Sequence, residues 1–298
     1  MSRPAVSVVV PFAGPPGAEL AAVRLLASLH LGPEDERILA DNSGRGLVAP
    51  AGIRVVVAAA ERSPAHARNR GAALARGEWV LFLDADTVAP PDLVERFFTG
   101  PIDPDVGALT GNVTGLVARP TLAARFGAHA NFLDAGLHLA HPYRPRAAAA
   151  NLLVRRRAFL AVGGFCEGVA AAEDTDFSWR LQAAGWRLGF RPEATVGHHY
   201  RESLRELRRQ WRAYAAGARW LEQRWPGYHP DPALAHLGRV LGARLRRSGA
   251  VSAPLRRHAA DGRPPLRRSE RVAFLAIQLL LAVEEQVGLR RSNDLPPR

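Results

Sequence analysis

Short apolar runs alternate with amphipathic segments over the first 85 residues. The runs have the composition of strands covered on both faces, and they occupy residues 5–12, 37–43, 53–60 and 77–83. Residues 18–31 and 63–77 instead carry apolar side chains at helical spacing. Ser63 suits the N-cap of the second helix, and Pro64 suits its first turn. The order strand, helix, strand, strand, helix, strand predicts a largely parallel sheet with helices on its faces.

The pattern continues less regularly through the rest of the chain. It predicts a strand pair in 105–117, a strand and short helix in 147–165, a helix in 173–186, short strands in 187–201, and helices in 203–225 and 271–289. Residues 251–271 have the composition of a flexible basic linker. The most apolar late stretch, 272–283, is too short to span a bilayer.

Charge divides the chain into two parts. The sequence contains no lysine, and its net charge is +12. Residues 1–200 hold 20 arginines and 19 acidic residues, a net charge of +1, whereas residues 201–298 hold 20 and 9, a net charge of +11. We therefore expect a balanced domain over 1–200 and a helical, arginine-rich region over 201–298. Such a region suits a nucleic acid, an anionic membrane surface or an acidic partner, or it is simply a solvated helical face.

Cysteine content and the amino terminus bear on location. Cys166 is the single cysteine, so no internal disulfide can form, which favours a cytoplasmic protein. The first apolar run begins at residue 5 and is predicted as a strand rather than a signal peptide. The basic region adds the expectation of peripheral contact with the inner face of the membrane. Leu279, Leu280 and Leu281 suit either that contact or packing on a domain or a second copy.

Two carboxylates follow one buried strand in the stretch GEWVLFLDADT, residues 77–87. Asp84 and Asp86 are separated only by Ala85, and like charges this close destabilise a fold unless a cation lies near them. Oxygen ligands at the rigid end of a strand suit Mg²⁺ or Mn²⁺, which in turn binds phosphate groups. The pair therefore predicts a metal-bound diphosphate and a nucleotide donor. The alternative is that Asp84 caps a turn and Asp86 caps a following helix.

Seven stretches in order resemble the family 2 glycosyltransferases of the GT-A fold. They are VSVVVPF, DNS, ARNRG, GEWVLFLDADT, RRRAFLAVGGF, EDTDFSWRL and VGHHYR, and the resemblance covers roughly residues 5–220. It implies a Rossmann-like α/β domain with a mixed, mostly parallel sheet flanked by helices. The nucleotide-sugar half is expected at about 1–115 and the acceptor half at about 116–200.

The resemblance also implies roles for individual residues. Asp174 matches the catalytic base, and Asp86 and His198 match metal-site positions for Mn²⁺ or Mg²⁺. An acceptor hydroxyl has a high pKa, so a positioned carboxylate is needed to remove its proton. The matching nucleotide-sugar contacts are Pro11, Phe12, Asp41, Arg68, Asp84, Ala85 and Asp86, and further candidates are Asn151, Glu173, Asp176, His199 and Arg201. Glu173, Asp174 and Asp176 can equally be charges that favour a helix N-terminus, and Arg68 can be a surface arginine.

The implied activity is transfer of one sugar, with inversion, from a nucleoside-diphosphate sugar, expected to be a UDP-sugar. Gln210 is followed by WRAY rather than by the motif of processive members, which favours single transfer. The acceptor stays open among a small molecule, a peptide and a lipid-linked glycan, and homo-oligomerisation stays open too. PFAG departs from the residues that usually follow the first strand in this family, so this stretch does not identify the base of the nucleotide.

Two other classes of protein remain as alternatives. A nucleotidyltransferase of similar α/β layout would also need metal-binding carboxylates, but it usually has a basic glycine-rich loop after the first strand, and PFAGPPGAEL has no basic residue. A nucleic-acid-binding protein would explain the pI of about 11.3. It would not explain the balanced charge of residues 1–200, and we expect no nucleic-acid partner.

Overall fold

The computed structural model describes residues 3–230 and 267–295. The described residues form two compact units. The first contains 3–120, 127–200 and 294–295, and the second contains 121–126, 201–230 and 267–293. Within these described ranges, no helix combines the length and hydropathy that a membrane-crossing segment requires. The division into functional domains at residue 200 remains a prediction.

A mixed sheet of eight strands forms the first unit in the described part of the chain. The strands are β1 (Val6–Phe12), β2 (Glu36–Asp41), β3 (Arg54–Val57), β4 (Trp79–Leu83), β5 (Thr87–Val88), β6 (Val106–Leu116), β7 (Asn151–Arg155) and β8 (Arg187–His199). Their order is β3-β2-β1-β4-β7-β6-β8-β5. The β1–β2, β1–β4, β2–β3 and β6–β8 pairs are parallel, and the other three are antiparallel. The expected α/β class with a mixed, mostly parallel sheet is confirmed.

Helices flank this sheet and form the second unit. In chain order they are α1 (Glu19–Ser28), α2 (Pro64–Leu74), α3 (Leu93–Phe97), α4 (Leu122–Ala130), α5 (Ala135–Leu139), α6 (Arg156–Ala161), α7 (Glu173–Ala183), α8 (Leu204–Arg224) and α9 (Arg268–Gly288). Ser63 caps α2 as predicted, because its Oγ accepts a hydrogen bond of 3.0 Å from the His66 amide. The final helix begins inside the segment that was predicted as a linker, whose other residues, 251–266, lie outside the described ranges.

The apolar run of β4 is explained by burial on both faces of the sheet. Leu81 and Leu83 pack with α1 and α3 on one face, whereas Val80 and Phe82 pack with α2, α6 and α7 on the other. The second face contains a cluster of aromatic rings around Phe82, whose centroid lies 5.1 Å from that of Phe165. This rigid support lies under the strand end that carries Asp84 and Asp86.

Two sequence predictions about strand number were wrong. Segment 105–117 forms the single strand β6 rather than a pair, and segment 187–201 forms the single strand β8. These two strands run parallel, but between Gly111 and Asn112 the pairing passes over three extra residues of β8. A bulge absorbs the irregular sequence there, so the strand bends where the local pattern indicated a break.

Candidate active site

Strand order places the predicted site residues along one edge of the sheet. β1, β2 and β4 are adjacent and parallel, so their carboxyl ends meet there. Asp41 is the last residue of β2, and Asp84 and Asp86 follow β4. Antiparallel β7 begins at the same edge, because Asn151 pairs with Leu83.

Asp84, Asp86 and His198 form a compact cluster. His198 reaches the two carboxylates because β8 pairs antiparallel with β5, which places His198 opposite Thr87. Its Nε2 lies 3.1 Å from Asp86 Oδ1 and 3.6 Å from Asp84 Oδ2. One ligand atom from each of the three residues lies within 4.8 Å of the others. The His198 side chain is 9% exposed, whereas that of Asp86 is 38% exposed, so the cluster is open on the Asp86 side.

The electrostatics of this cluster favour a cation. Burial alone would lower the pKa of His198, but hydrogen bonding and charge from Asp84 and Asp86 raise it to about 10. Burial alone would raise the pKa of Asp84, but Arg68 and His198 hold it well below its ordinary value. Asp84 is thus stabilised by positive charge from both Arg68 and His198, and a divalent ion in place of the His198 proton would supply that charge more strongly.

The residues present fit a divalent metal. Two carboxylate oxygens and one imidazole nitrogen are a donor set that Mn²⁺ accepts, and three ligands leave positions for substrate oxygens. His198 Nδ1 is buried with no hydrogen-bond partner among the described residues. The Nε2 side of the ring faces the two aspartates, and the Nδ1 side forms no hydrogen bond within the described residues.

Arg68 joins this cluster to the start of α7. The arginine lies in α2, its side chain is 6% exposed, and it donates to Asp84 Oδ1 at 2.7 Å and to Glu173 Oε1 at 2.8 Å. Its guanidinium also lies 5.6 Å from the centroid of the Phe165 ring. The alternative of a surface arginine on α2 is wrong, because Arg68 is buried between two carboxylates. A direct contact with a nucleotide remains a prediction.

The acidic start of α7 lies beside this ion pair. Ala172 precedes the helix with φ of +70°, a left-handed conformation that is uncommon for alanine and that occurs at constrained sites. Burial and the neighbouring Asp174 raise the pKa of Glu173, against the effect of Arg68. Asp174 is partly exposed, and its Oδ1 accepts a hydrogen bond of 2.7 Å from the Thr175 amide. Among the described residues, Arg68 therefore bridges Glu173 to Asp84, whereas Asp174 forms no hydrogen bond with an arginine.

The structure places two further candidates outside this cluster. The Asp176 side chain is fully buried and pairs with Arg180 at 2.7 Å, one turn along α7. Asn151 donates to the carbonyl oxygens of Asn112 (3.0 Å) and Ala194 (2.7 Å), so it holds together the bulged strands β6 and β8. These contacts are structural, and a substrate role for either residue remains a prediction.

The expected base-binding residues lie at the ends of β1 and β2. Pro11 and Phe12 are the last residues of β1, and Phe12 pairs with Asp41. Asp41 is fully buried, and its oxygens accept hydrogen bonds from the Ser43 amide (2.9 Å) and the Leu47 amide (2.8 Å). Burial would raise the pKa of Asp41, but these bonds lower it overall. Asp41 thus shapes the loop after β2, and its contact with a base remains a prediction.

Three of the sequence-predicted candidates remain. His199 donates its backbone N–H to the Asp86 carbonyl at 3.2 Å, which holds the backbone next to the carboxylate pair. Ala85 lies between the two aspartates and is partly buried. Arg201 is exposed and is the first residue of the second unit after β8.

Two residues next to the site were not selected from the sequence. The Tyr200 ring centroid lies 5.6 Å from that of His198, and its hydroxyl donates to Asn131 at 3.0 Å, so Tyr200 supports the histidine. The Arg45 guanidinium lies 6.0 Å from the Phe12 ring centroid, beside the expected base contacts. The sequence signals were an aromatic residue directly after the histidine pair and an arginine four residues after Asp41.

Comparisons with known proteins agree with this arrangement. The profile described as "Glycosyl transferase family group 2" matches residues 79–258, which is 180 of 298 residues. A second profile, "Glycosyl transferase family 2", matches residues 23–115. The first match includes Asp84, Asp86, Asp174 and His198.

Curated relatives match part of the chain. A "Pre-mycofactocin glycosyltransferase" of Mycobacterium tuberculosis is 34% identical over 177 residues, which cover 57% of this chain and 36% of the relative. An "O-antigen biosynthesis protein RfbC" of Myxococcus xanthus is 32% identical over 154 residues, which cover 50% and 11%. The chain thus spans about a third, or less, of the length of these relatives.

Solved structures share the fold. The mannosyltransferase PcManGT from Pyrobaculum calidifontis, in complex with GDP-Man and Mn²⁺, superposes with a TM-score of 0.60 at 18% identity, over 97% of this chain and 87% of that one. Residues 1–349 of S. aureus TarS give a TM-score of 0.50 at 15% identity, over 95% and 82%. The family matches favour a glycosyltransferase over the nucleotidyltransferase alternative. The chain belongs to glycosyl transferase family group 2 and has the GT-A fold.

Proposed function

We propose that this protein transfers one sugar, with inversion, from a nucleoside-diphosphate sugar to an acceptor hydroxyl. The donor in this proposal is a UDP-sugar, bound at the carboxyl ends of β1, β2 and β4. Asp84, Asp86 and His198 would hold a divalent metal, Mn²⁺ or Mg²⁺. Asp174 would act as the base.

One observation carries the proposal. The two carboxylates after β4 lie against a buried histidine from a strand that is more than a hundred residues away in the sequence, with ligand atoms within 4.8 Å. Without a metal, Arg68 and protonated His198 supply the positive charge beside these carboxylates, and a divalent ion would take the place of the His198 proton. Family membership gives sugar transfer as the chemistry that such a cation would assist.

The metal would offset negative charge on the leaving diphosphate when bound. The protein's own groups then have separable tasks. Asp174 removes the proton of the acceptor hydroxyl as that oxygen attacks the anomeric carbon. Arg68 fixes Asp84 and Glu173 relative to each other, through its contacts of 2.7 and 2.8 Å. A single displacement from the face opposite the diphosphate gives the inverted product.

The names of similar proteins bear on the identity of the donor and the acceptor. The curated relatives are named a pre-mycofactocin glycosyltransferase and an O-antigen biosynthesis protein, and one structural neighbour is in complex with GDP-Man and Mn²⁺. These names support a sugar-nucleotide donor and a metal in the proposal. They do not identify the nucleotide base of the donor or the acceptor. Our choice of UDP rests on the family resemblance as a whole and not on the end of β1, where PFAG departs from the usual residues. The acceptor class stays within hydroxyl-bearing small molecules, peptides and lipid-linked glycans.

Ligand-dependent stabilisation tests the donor and the metal together. Thermal unfolding would be followed with UDP-, GDP- and dTDP-sugars, each with and without Mn²⁺, because a ligand that binds only the folded state raises its stability. We expect the largest rise with a UDP-sugar plus Mn²⁺, and we expect Asp86→Ala to abolish the Mn²⁺-dependent part. Asp92→Ala is a matched control, because Asp92 is an exposed carboxylate on the same unit that pairs with Arg96.

The outcomes separate the parts of the proposal. If only a GDP-sugar raises the stability in a Mn²⁺-dependent way, the proposed donor changes from a UDP-sugar to a GDP-sugar and the metal site stands. A rise that Asp86→Ala leaves intact would remove Asp86 from the metal site. No rise with any sugar nucleotide would contradict donor binding by this chain.

A further inference from the structure

Helix α9 has an apolar stripe that the described residues of its unit leave exposed. Val272, Leu275, Leu279 and Val283 are 69, 41, 45 and 57% exposed. They are spaced by three and four residues, so they share one face of the helix. At about 1.5 Å rise per residue the stripe is about 16 Å long. Scattered exposed leucines are ordinary, but a continuous line of four on one helix face indicates an interaction surface.

The opposite face of the same helix already has its partner. Phe274, Ile277 and Leu281 are buried, and α9 packs against α8 within the second unit. At Gly288 the two helices approach so closely that an added Cβ would lie 2.6 Å from Ala215 Cβ. The position of α9 is therefore fixed by its inner face, and the outer stripe is not required for that packing.

Exposed arginines lie at both ends of the stripe. Arg268 lies one turn before Val272 on the same face, Arg290 follows the end of the helix, and both are exposed. The described ranges 201–230 and 267–293 together contain 12 arginines and 6 acidic residues, a net charge of +6. The partner of this surface therefore combines negative charge with an apolar interior.

We propose that the outer face of α9 docks on an anionic lipid surface, with the four apolar side chains inserted into the interface and the arginines against the headgroups. A helix that lies in the plane of the interface buries one apolar face in this way. Arginines near the surface add electrostatic attraction. A second copy of the chain is a poorer occupant, because it would bring two regions of net charge +6 together across the contact.

Co-sedimentation with vesicles tests this docking. The full chain would be mixed with vesicles of phosphatidylcholine alone or of phosphatidylcholine with phosphatidylglycerol. We expect binding only to the anionic vesicles, weakened by added salt because exposed charges are screened. The test variant replaces the stripe with glutamine, a good helix former, at Val272, Leu275, Leu279 and Val283. We expect it to bind at least about tenfold more weakly.

A matched variant controls for general loss of apolar surface. It carries four glutamines in the first unit, at Leu20, Val48, Leu137 and Leu160, which are 52, 92, 54 and 54% exposed. It should bind the vesicles as the unaltered chain does. Equal binding by the stripe variant would show that charge alone attracts the protein, and this would overturn the proposal. Absence of binding by the unaltered chain would overturn it as well.

A labelled variant keeps the test valid if the stripe variant does not fold. Cys166 is the only cysteine, so Cys166→Ser with Leu279→Cys allows one environment-sensitive fluorophore on the stripe. Its emission should shift to the blue on adding anionic vesicles, whereas a label at Leu160→Cys should not respond. Analytical ultracentrifugation addresses the other occupant. A dimer of the unaltered chain that the label at Leu279→Cys disrupts, without any response to vesicles, would assign the stripe to a second copy and overturn lipid docking.

Discussion

Replacing Arg68 with methionine removes a buried cation that Asp84 and Glu173 share. Methionine keeps much of the length and apolar contact of the arginine stem, so the main change is loss of charge and hydrogen bonds. The Arg68, Asp84 and Glu173 side chains are 6, 26 and 13% exposed, so water compensates little. Breaking a buried ion pair by removing one partner typically costs about 3–5 kcal/mol, and we expect a loss of unfolding free energy in this range.

The size of this loss should depend on pH. Without Arg68, burial and Asp174 raise the pKa of Glu173 still further above its ordinary value. A carboxyl group whose pKa rises on folding destabilises the folded state above that pKa, and it ceases to do so below its unfolded value of about 4.3. Asp84 adds to the same trend, since its low pKa in the folded protein depends on Arg68. The deficit of the variant should therefore be largest near neutral pH and shrink as the pH falls toward 4.

Urea unfolding measures this deficit by tryptophan fluorescence, to which the buried Trp79 and Trp179 of the first unit contribute. Arg70→Met is a matched control, because Arg70 lies on the same helix but is exposed, and we expect it to change stability by less than about 0.5 kcal/mol. Adding Glu173→Gln to Arg68→Met should restore part of the loss. An equal loss of stability in Arg68→Met and Arg70→Met, or a deficit of Arg68→Met that is constant with pH, would refute the reasoning.

Three further substitutions test other parts of the account. Asp174→Asn should leave donor binding by calorimetry nearly unchanged and slow transfer by about 10²–10⁴-fold, and near-normal turnover would move the base elsewhere. Glu284→Gln should lower the urea midpoint of the second unit, because Arg208 and Arg212 lower the pKa of Glu284 to about 2. That stabilisation is complete above the unfolded pKa of about 4.3 and is lost as the pH falls toward 2, so the difference from the unaltered chain should vanish over that window. Gly288→Ala should cost about 1–3 kcal/mol by forcing α8 and α9 apart, and a neutral effect in thermal unfolding would contradict that close approach.

Much of the fold was predictable because its signals are local. The Ser63 cap and the apolar run of β4 follow from short-range preferences, and both appear as expected. The meeting of Asp41 with Asp84 and Asp86 at one edge follows from parallel strands alone. The count of strands around β6 and β8 failed because a bulge between paired strands has no clear local signature.

The candidate site was less predictable because its contacts are long-range. His198 reaches Asp86 only through pairing of β8 with the two-residue strand β5, and the sequence alone indicated this position solely through family resemblance. The contact between Arg68 and Glu173 joins residues 105 positions apart, and no periodicity reports on it. The Asp176–Arg180 pair, by contrast, has the four-residue spacing of an ion pair along one helix, and this contact accompanies the burial of Asp176.

The end of the chain shows a similar division. Leu281 is buried against the second unit, whereas Leu279 is 45% exposed, so neighbouring leucines of one apolar run face different environments. The helical period places Leu279 and Leu281 on different faces of the helix, but only the position of α8 decides which face is covered. The sequence could therefore predict an amphipathic last helix and could not assign its outer face.

Release of nucleoside diphosphate tests the central claim most directly. The purified chain would be incubated with a UDP-sugar labelled in the nucleotide, with and without Mn²⁺, and the products separated by anion exchange. Water can serve as the acceptor in this assay. We predict Mn²⁺-dependent release of UDP that is lost in Asp86→Ala and retained in Asp92→Ala. Release of labelled UMP in place of UDP, which would mean cleavage between the two phosphates, or release of UDP that Asp86→Ala leaves unchanged, would contradict sugar transfer at the Asp84, Asp86 and His198 site.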